Sequence, residues 1–455
     1  MGKGEDNILI DITSLGFKGE GIANADGKTI FVPFALPNEK ISAKIVFQKD
    51  NLVFAHAKKI VVKSPHRTEP VCPVFGECGG CDLQHMSYQK QLEFKGEIVK
   101  RNIKKIAGID VEVAPTVPSP LQYRYRNKLV LPLSQRDGKI VTGFYKEGTN
   151  EMVDTLTCPL HALWADKLIV LMRQFMEKYD VAPYAAAQKR GLARHLVARK
   201  LGETLVVTVV VFGENLPHKD KLLEMMQTAF GKVSLFLNTN KKEGNAVTGE
   251  RYIFVGGEEN LQESIDGLSI SVHPAAFFQV NDGIRKILYK DVASLCGGAG
   301  VLIDAYSGAG VLTAILARRF DKVYGIEIAP QAVEAANDLT KQNGIKNVQN
   351  ILGDCGQVLP RLLSQNVSEN ENLTVVLDPP RKGCDEAVIA ALAKHLPQKI
   401  VYISCNSSTL ARDLARLGLH SINPPYKIIS ATPYDMFPQT RHLETLVCLS
   451  AIKQK

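Results

Sequence analysis

Nine cysteines in 455 residues are too few for a disulfide scaffold. Their spacing is uneven: Cys72, Cys78 and Cys81 lie close together, while Cys158, Cys296, Cys355, Cys384, Cys405 and Cys448 are scattered. Long apolar runs are also missing. The longest, around residues 205–212, is far short of the roughly 18–20 residues a membrane span needs. The first residues carry no apolar signal core, so a cytoplasmic protein without membrane contact is expected. In that compartment clustered cysteines mean metal or catalysis more often than disulfides. No internal repeat or low-complexity tract is evident. With 45% hydrophobic and 22% charged residues, the composition is that of folded globular domains, and the length predicts more than one. The formal net charge of +8 is modest, but residues 81–130 hold nine basic and five acidic side chains, half of the excess. A polyanion such as nucleic acid is the partner this suggests.

Three regions follow from the patterning. Residues 1–63 read as short strands and tight turns, with Asp26-Gly27 as a hairpin signal, and predict a small antiparallel barrel. Residues 64–265 contain the cysteine cluster, a lysine-rich helix from Tyr88 to about Ile106 with its charges expected in solvent, and a central α/β region that includes YRYRNK (123–128). Residues 266–455 alternate strands and helices, the signature of a doubly wound, mostly parallel sheet whose ligands bind at the carboxyl ends of its strands.

In the third region a strand runs into Asp304, Tyr306 and Ser307-Gly308-Ala309-Gly310 before a helix, so small residues stand where backbone must approach a ligand. Glu327 ends the next strand, where an acid can accept hydrogen bonds from ribose hydroxyls. A nicotinamide site would share these features. The turn lacks the third glycine of that fingerprint, and the acid inside the strand end suits a cationic methionine moiety better than a pyrophosphate. S-adenosylmethionine is therefore the expected cofactor. The fourth strand ends in Asp378-Pro379-Pro380-Arg381, a rigid rim in which Arg381 stands where amino-methylating enzymes usually carry an aromatic.

The fifth strand delivers Cys405 to the same edge, just before a helix whose N-terminus can favour a thiolate. Glu444 precedes the last strand and is a credible general base. Such a pair suits methylation of uracil C5: thiolate addition at C6 activates C5, and a base then removes the C5 proton. The Cys72-x5-Cys78-x2-Cys81 loop supplies three thiolates, and Cys158, followed by proline, is a candidate fourth. Spacing alone leaves zinc and an iron–sulfur cluster near parity.

Taken in order, the barrel, the cysteine spacing, YRYRNK, HPAAFFQVN (273–281), DAYSGAG, LDPPRKG, SCN and HLET resemble the RNA 5-methyluridine methyltransferases, in particular the bacterial 23S ribosomal RNA type, over nearly the whole chain. The resemblance implies a TRAM domain, a class I methyltransferase domain, and contacts to S-adenosylmethionine from Gln279, Tyr306, Glu327 and Asp378. It further implies Cys405 as nucleophile, Glu444 as base, and a [4Fe-4S] cluster on Cys72, Cys78, Cys81 and Cys158. The expected substrate is 23S rRNA, with tRNA as an alternative, and the expected state is a monomer. One departure is Ser407, where the family usually has proline. Two rival readings are RNA 5-methylcytidine formation using Cys384 and a non-catalytic RNA-binding factor. Basic residues in YRYRNK and at Lys189, Arg190, Arg194, Arg199 and Lys200 are candidate phosphate contacts.

Overall fold

The computed structural model describes residues 7–186, 188–244, 246–276, 278–366 and 372–452. Residues 1–6 of the first region and Phe277 of the HPAAFFQVN motif lie outside them. The N-terminal strands are β1 (Asn7–Asp11), β2 (Ser14–Leu15), β3 (Gly21–Ala25), β4 (Lys28–Val32), β5 (Lys40–Lys49) and β6 (Leu52–Val62). They form one sheet in the order β1-β5-β6-β4-β3-β2, with Asp26-Gly27 joining β3 to β4 as the sequence predicts. Alternate residues, among them Ile10, Ala23, Ile30, Val32, Ile41, Val53 and Ala55, fill its interior.

Helix α1 (Tyr88–Asn102) continues through a π-helical turn, Ile103–Ala107, and stops at Gly108. The central sheet has β7 (Lys128–Arg136), β8 (Lys139–Tyr145), β9 (Met152–Asp154), β10 (Ala193–Leu201), β11 (Thr204–Val211), β12 (Val233–Thr239) and β13 (Arg251–Gly257), ordered β13-β12-β11-β10-β7-β8-β9. Helices α2 (Leu163–Lys178) and α3 (Lys219–Phe230) pack on it through Leu168, Met172, Phe175, Leu222 and Met226. A hairpin, β14 (Gln262–Ile265) and β15 (Leu268–Ser271), leads to α4 (Asp282–Cys296).

The C-terminal sheet alternates β16 (Val301–Ala305), α5 (Val311–Ala317), β17 (Lys322–Glu327), α6 (Pro330–Gln342), β18 (Val348–Leu352), α7 (Cys355–Asn366), β19 (Leu373–Leu377), α8 (Glu386–His395), β20 (Lys399–Ser404) and α9 (Ser407–Arg416). It closes with β21 (Tyr426–Tyr434) and β22 (Glu444–Ala451). The order is β18-β17-β16-β19-β20-β22-β21, parallel except for β22, which is antiparallel to both neighbours. Strand order reverses between β16 and β19, and the crevice at such a switch point is where doubly wound sheets bind ligands. One face is covered by α7, α8 and α9 together with Val99, Ile103 and Ala107 from α1 and its extension; α4 and α5 cover the other.

On helix α1 and its extension Lys100, Lys104 and Lys105 are exposed as the sequence predicts, and Lys95 departs from that expectation. Lys95 has no exposed side-chain surface and pairs with Asp435, equally buried, at 2.5 Å. Its ammonium also donates to the carbonyl of Phe437. Burial pushes the lysine pKa down while Asp435 holds it up. Arg101 lies over the Phe17 ring of the barrel and donates to the Leu15 carbonyl. The local charge excess is therefore partly spent inside the fold. Removing one member of a buried pair leaves an uncompensated charge, so Lys95→Met should destabilise the protein by about 3–5 kcal/mol, and Lys95→Met with Asp435→Leu should recover most of that loss. Urea unfolding midpoints of the three proteins check this.

Candidate active site and cysteine cluster

The ladder of β20 and β22 pairs Ser404 with Thr445, so the next residues outward, Cys405 and Glu444, leave neighbouring strands at one end of the sheet. Asp378 follows β19, the strand on the other side of β20. The groups feel one another. Burial, then Glu444, pushes the Cys405 thiol up to about 11, with Asp378 adding and Arg381 opposing. Burial likewise raises the Glu444 carboxyl well above its ordinary range, again with Asp378 adding and Arg381 opposing. Burial and the two neighbouring carboxyl groups thus act against the thiolate that the helix N-terminus favours, while Arg381 acts for it. A carboxyl raised toward neutrality suits a base that must take and release a proton. Arg381, the basic residue after Asp-Pro-Pro, is a cation facing both groups, a role the sequence reading did not give it.

Asn406 caps α9 by accepting from the Ser408 N–H, and its side chain also donates to the Arg381 carbonyl. Ser407, the departure from the family pattern, has a defined role. Its hydroxyl accepts a 2.8 Å hydrogen bond from Asn102 at the end of α1, and Asn102 also reaches Ser408. Nothing in the sequence signals that contact, which joins residues 305 positions apart.

Around the cofactor turn, Gly310 has φ +75°, and a Cβ there would stand 2.7 Å from that of Ala336. Tyr306 has φ 66°, unusual for a residue with a side chain, and its hydroxyl is buried beside Cys384 and the Asp385 backbone. Glu327 accepts from the Gly308 and Ala329 N–H groups, one on each oxygen, leaving further lone pairs for a ligand. Asp304 is buried and accepts from Thr313; burial pushes it up to about 7, and Glu327 adds. Burial and Asp304 push Asp378 up to about 7 as well. These carboxylates at the ends of adjacent strands make a rim suited to a cation. Gln279 lies in the loop before α4, where its carbonyl accepts from Asn127. Among the described residues no hydrogen bond joins the Gln279 side chain to the other three.

Cys384, the residue on which the 5-methylcytidine reading rests, is 3% exposed. Its sulfur contacts the Tyr402 hydroxyl, its N–H donates to Asp413, and burial pushes its thiol up to about 12. It belongs to the packing beneath the Asp378–Arg381 loop.

The four cysteines expected to hold a metal line one cavity of about 230 Å³. Gly79 is required by its neighbours, since a Cβ would stand 2.7 Å from the Glu147 nitrogen, and the Gly80 N–H donates to the Cys78 sulfur. Burial pushes the Cys158 thiol up to about 11, with Cys72 and Cys78 adding to the shift, and raises Cys81 further. Among the described residues no three His, Cys, Asp or Glu side chains are gathered closely enough to hold a single metal ion. Four cysteine thiols around one cavity are a donor set that either zinc or an iron–sulfur cluster uses.

YRYRNK is a structural knot. Arg124 pairs with Asp166 and donates to the Cys158 and His161 carbonyls, Tyr125 donates to the Pro438 carbonyl, and Asn127 holds the Gln279 loop. Arg194 similarly binds the Asn240 and Lys242 carbonyls. Two of the candidate phosphate contacts, Arg124 and Arg194, are thus bonded within the protein.

A doubly wound sheet with an antiparallel β22, a glycine turn after its first strand and an acidic rim defines a class I methyltransferase domain, here preceded by a small barrel. Comparison with known proteins agrees. The tRNA (uracil-5-)-methyltransferase family matches residues 87–452 and the TRAM domain matches residues 6–58. The chain belongs to the tRNA (uracil-5-)-methyltransferase family and is an enzyme. A relative described as an uncharacterized RNA methyltransferase of Halalkalibacterium halodurans is 37% identical, covering 98% of this chain and 97% of its own. One of Clostridium tetani is 36% identical over 96% of this chain and 95% of its own. The crystal structure of Pyrococcus abyssi tRNA (uracil-54, C5)-methyltransferase with S-adenosyl-L-homocysteine is similar with a TM-score of 0.75 and 28% identity, covering 97% of this chain and all of that one. Among the described residues no helix is long and apolar enough to cross a membrane.

The raised carboxyls give a pH prediction. Asp304 and Asp378 hold protons to about pH 7 when folded, against an ordinary value of 3.8, so the folded ligand-free protein binds more protons than the unfolded chain between those values. Stability should therefore fall as pH rises through that window, and Asp378→Asn should flatten the fall by about 1–3 kcal/mol. Urea midpoints across pH 4–8 measure it; an unchanged slope in the variant contradicts the assignment.

Proposed function

We propose that this enzyme methylates C5 of a uridine in 23S ribosomal RNA, using S-adenosylmethionine and a covalent cysteine adduct. The observation that carries the reading is the register that sets Cys405 beside Glu444, with Asp378 and Arg381 at the same rim. Tyr306, Glu327, Asp378 and Gln279 are the residues that hold S-adenosylmethionine on this reading, and the acidic rim fits a cationic ligand. When bound, S-adenosylmethionine supplies an electrophilic methyl group on a sulfonium. The Cys405 thiol loses its proton to solvent and the sulfur adds to uracil C6; C5, made nucleophilic, takes the methyl as the sulfonium C–S bond breaks and leaves the donor a neutral thioether. Glu444 then takes the C5 proton, the C5–C6 double bond re-forms, and the C6–sulfur bond breaks to return the thiolate.

The uridine reading is favoured over cytidine by the packed position of Cys384. tRNA is the second substrate reading, because the solved tRNA enzyme aligns along its whole length, so an extra N-terminal barrel does not by itself argue for ribosomal RNA. The same proposal keeps the divisions 1–63, 64–265 and 266–455, within which the three large sheets fall, and a cytoplasmic monomer. RNA containing uridine and labelled cofactor should yield 5-methyluridine, 5-fluorouridine RNA should trap a covalent complex, and Cys405→Ala should abolish it. Trapping retained in Cys405→Ala would refute the nucleophile. Product mapping on rRNA and on tRNA decides between the substrates.

Cys72, Cys78, Cys81 and Cys158 hold a [4Fe-4S] cluster on this reading. Methyl transfer moves no electron, so the cluster's role is to fasten the loop of residues 72–81 to the central sheet near Cys158. Anaerobically purified protein should contain about four iron and four sulfide per chain, and Cys158→Ser should lower both. Stoichiometric zinc without sulfide overturns the assignment.

A further inference from the structure

Strands β21 and β22 part at the pair Tyr434–Glu444, so residues 435–443 form a loop whose last residue adjoins the proposed base. The loop is held from outside its own sheet. Lys95 takes Asp435 and the Phe437 carbonyl, Asn281 donates to the Met436 carbonyl, and Tyr125 donates to the Pro438 carbonyl. Arg441 donates from its backbone N–H and its guanidinium to the two oxygens of Asp82.

At the centre of these contacts is Gln439. It is 2% exposed and has φ 70°, a left-handed conformation that a residue with a side chain holds only when its surroundings over-determine it. Here they do. The Gln91 side chain, itself 1% exposed, makes two bonds to Gln439: its Nε2 donates to Gln439 Oε1 at 2.9 Å, and its Oε1 accepts from the Gln439 N–H at 3.1 Å. The Gln439 carbonyl accepts from the N–H groups of Asp82 and Leu83. Gln91 is anchored in turn by the Leu83 and Met86 carbonyls. The same helix carries Asn102, which holds Ser407 next to the proposed nucleophile.

We infer that Gln91 and Gln439 form a clamp through which α1 sets the position of Glu444 relative to Cys405, making both glutamines positioning residues for the elimination step. The inference rests on the assignment of Glu444 as base. Adduct formation needs Cys405, whereas release needs a carboxylate placed at the C5 proton. A displaced base leaves the methylated RNA attached through the C6–sulfur bond. Loss of the clamp therefore has a signature that general destabilisation does not: methyl transfer proceeds once and the covalent adduct persists on ordinary uridine RNA.

Gln91→Leu and Gln439→Gly test the clamp from its two sides. The glycine relieves the left-handed backbone while removing the side-chain amide, so it preserves folding where the leucine strains it. Glu444→Gln is the reference. With the full-length protein and unmodified RNA, multiple-turnover rates should fall on the order of 10–100-fold in both clamp variants. Single-turnover methyl transfer should stay near wild type, and a denaturing gel should show the methylated adduct accumulating as in Glu444→Gln. Adduct in Glu444→Gln with none in either clamp variant overturns the clamp alone. No adduct in Glu444→Gln removes the base assignment and the clamp with it.

Discussion

A lysine ammonium with no exposed surface can be kept in a protein only against a carboxylate, and the Lys95–Asp435 pair places that requirement between two distant parts of the chain. The pair has one workable geometry, because each partner is surrounded by protein and neither can turn to water. Helix α1 is thereby registered against the loop that ends at Glu444. Val99, Ile103 and Ala107 then pack with Leu410, Ala411 and Leu414 of α9, and Asn102 reaches Ser407 and Ser408. A segment that precedes the methyltransferase sheet by some two hundred residues so braces both sides of the reactive edge.

The electrostatics of that edge are adverse without ligands. Asp304, Asp378 and Glu444 are crowded and desolvated, each with its proton held more tightly than usual, and Arg381 is the cation that faces the Cys405–Glu444 pair. Such a concentration of unfavourable burial is costly to the free protein and is what a site for a positively charged donor and a proton-accepting carboxylate requires. The left-handed Tyr306 and Gln439 belong to the same pattern, with strain held at the rim by well-bonded surroundings.

Much of this was legible in the residue order. Asp26-Gly27 marked a hairpin, the alternation after residue 266 marked a doubly wound sheet, and Cys405, Glu444 and Asp378 stood at strand ends because apolar runs stop there. The sequence misjudged basic residues. Lys95 read as solvated, and Arg124 and Arg194 as open to phosphate, because a charge pattern along the chain does not say whether a carboxylate or carbonyl far away in sequence folds back onto it. The setting of Cys405 was hidden for a related reason: a helix N-terminus is visible in sequence, whereas the depth of burial and the nearness of Glu444 and Asp378 are not.

By itself the sequence determined the periodicities, hence the barrel and the parallel sheet, and the chemical inventory at the strand ends, since both are local properties of spacing and side-chain type. Only the tertiary structure decided which of those groups meet. The antiparallel entry of β22 put Glu444 beside Cys405, the path of α1 under α9 gave Ser407 its partner Asn102, and the fold of residues 72–81 onto the central sheet brought Cys158 to the cavity of the other three cysteines. Those meetings depend on strand order, register and burial. They are long-range quantities, set by how the apolar faces pack and by where buried polar groups find partners, and no window along the chain contains them.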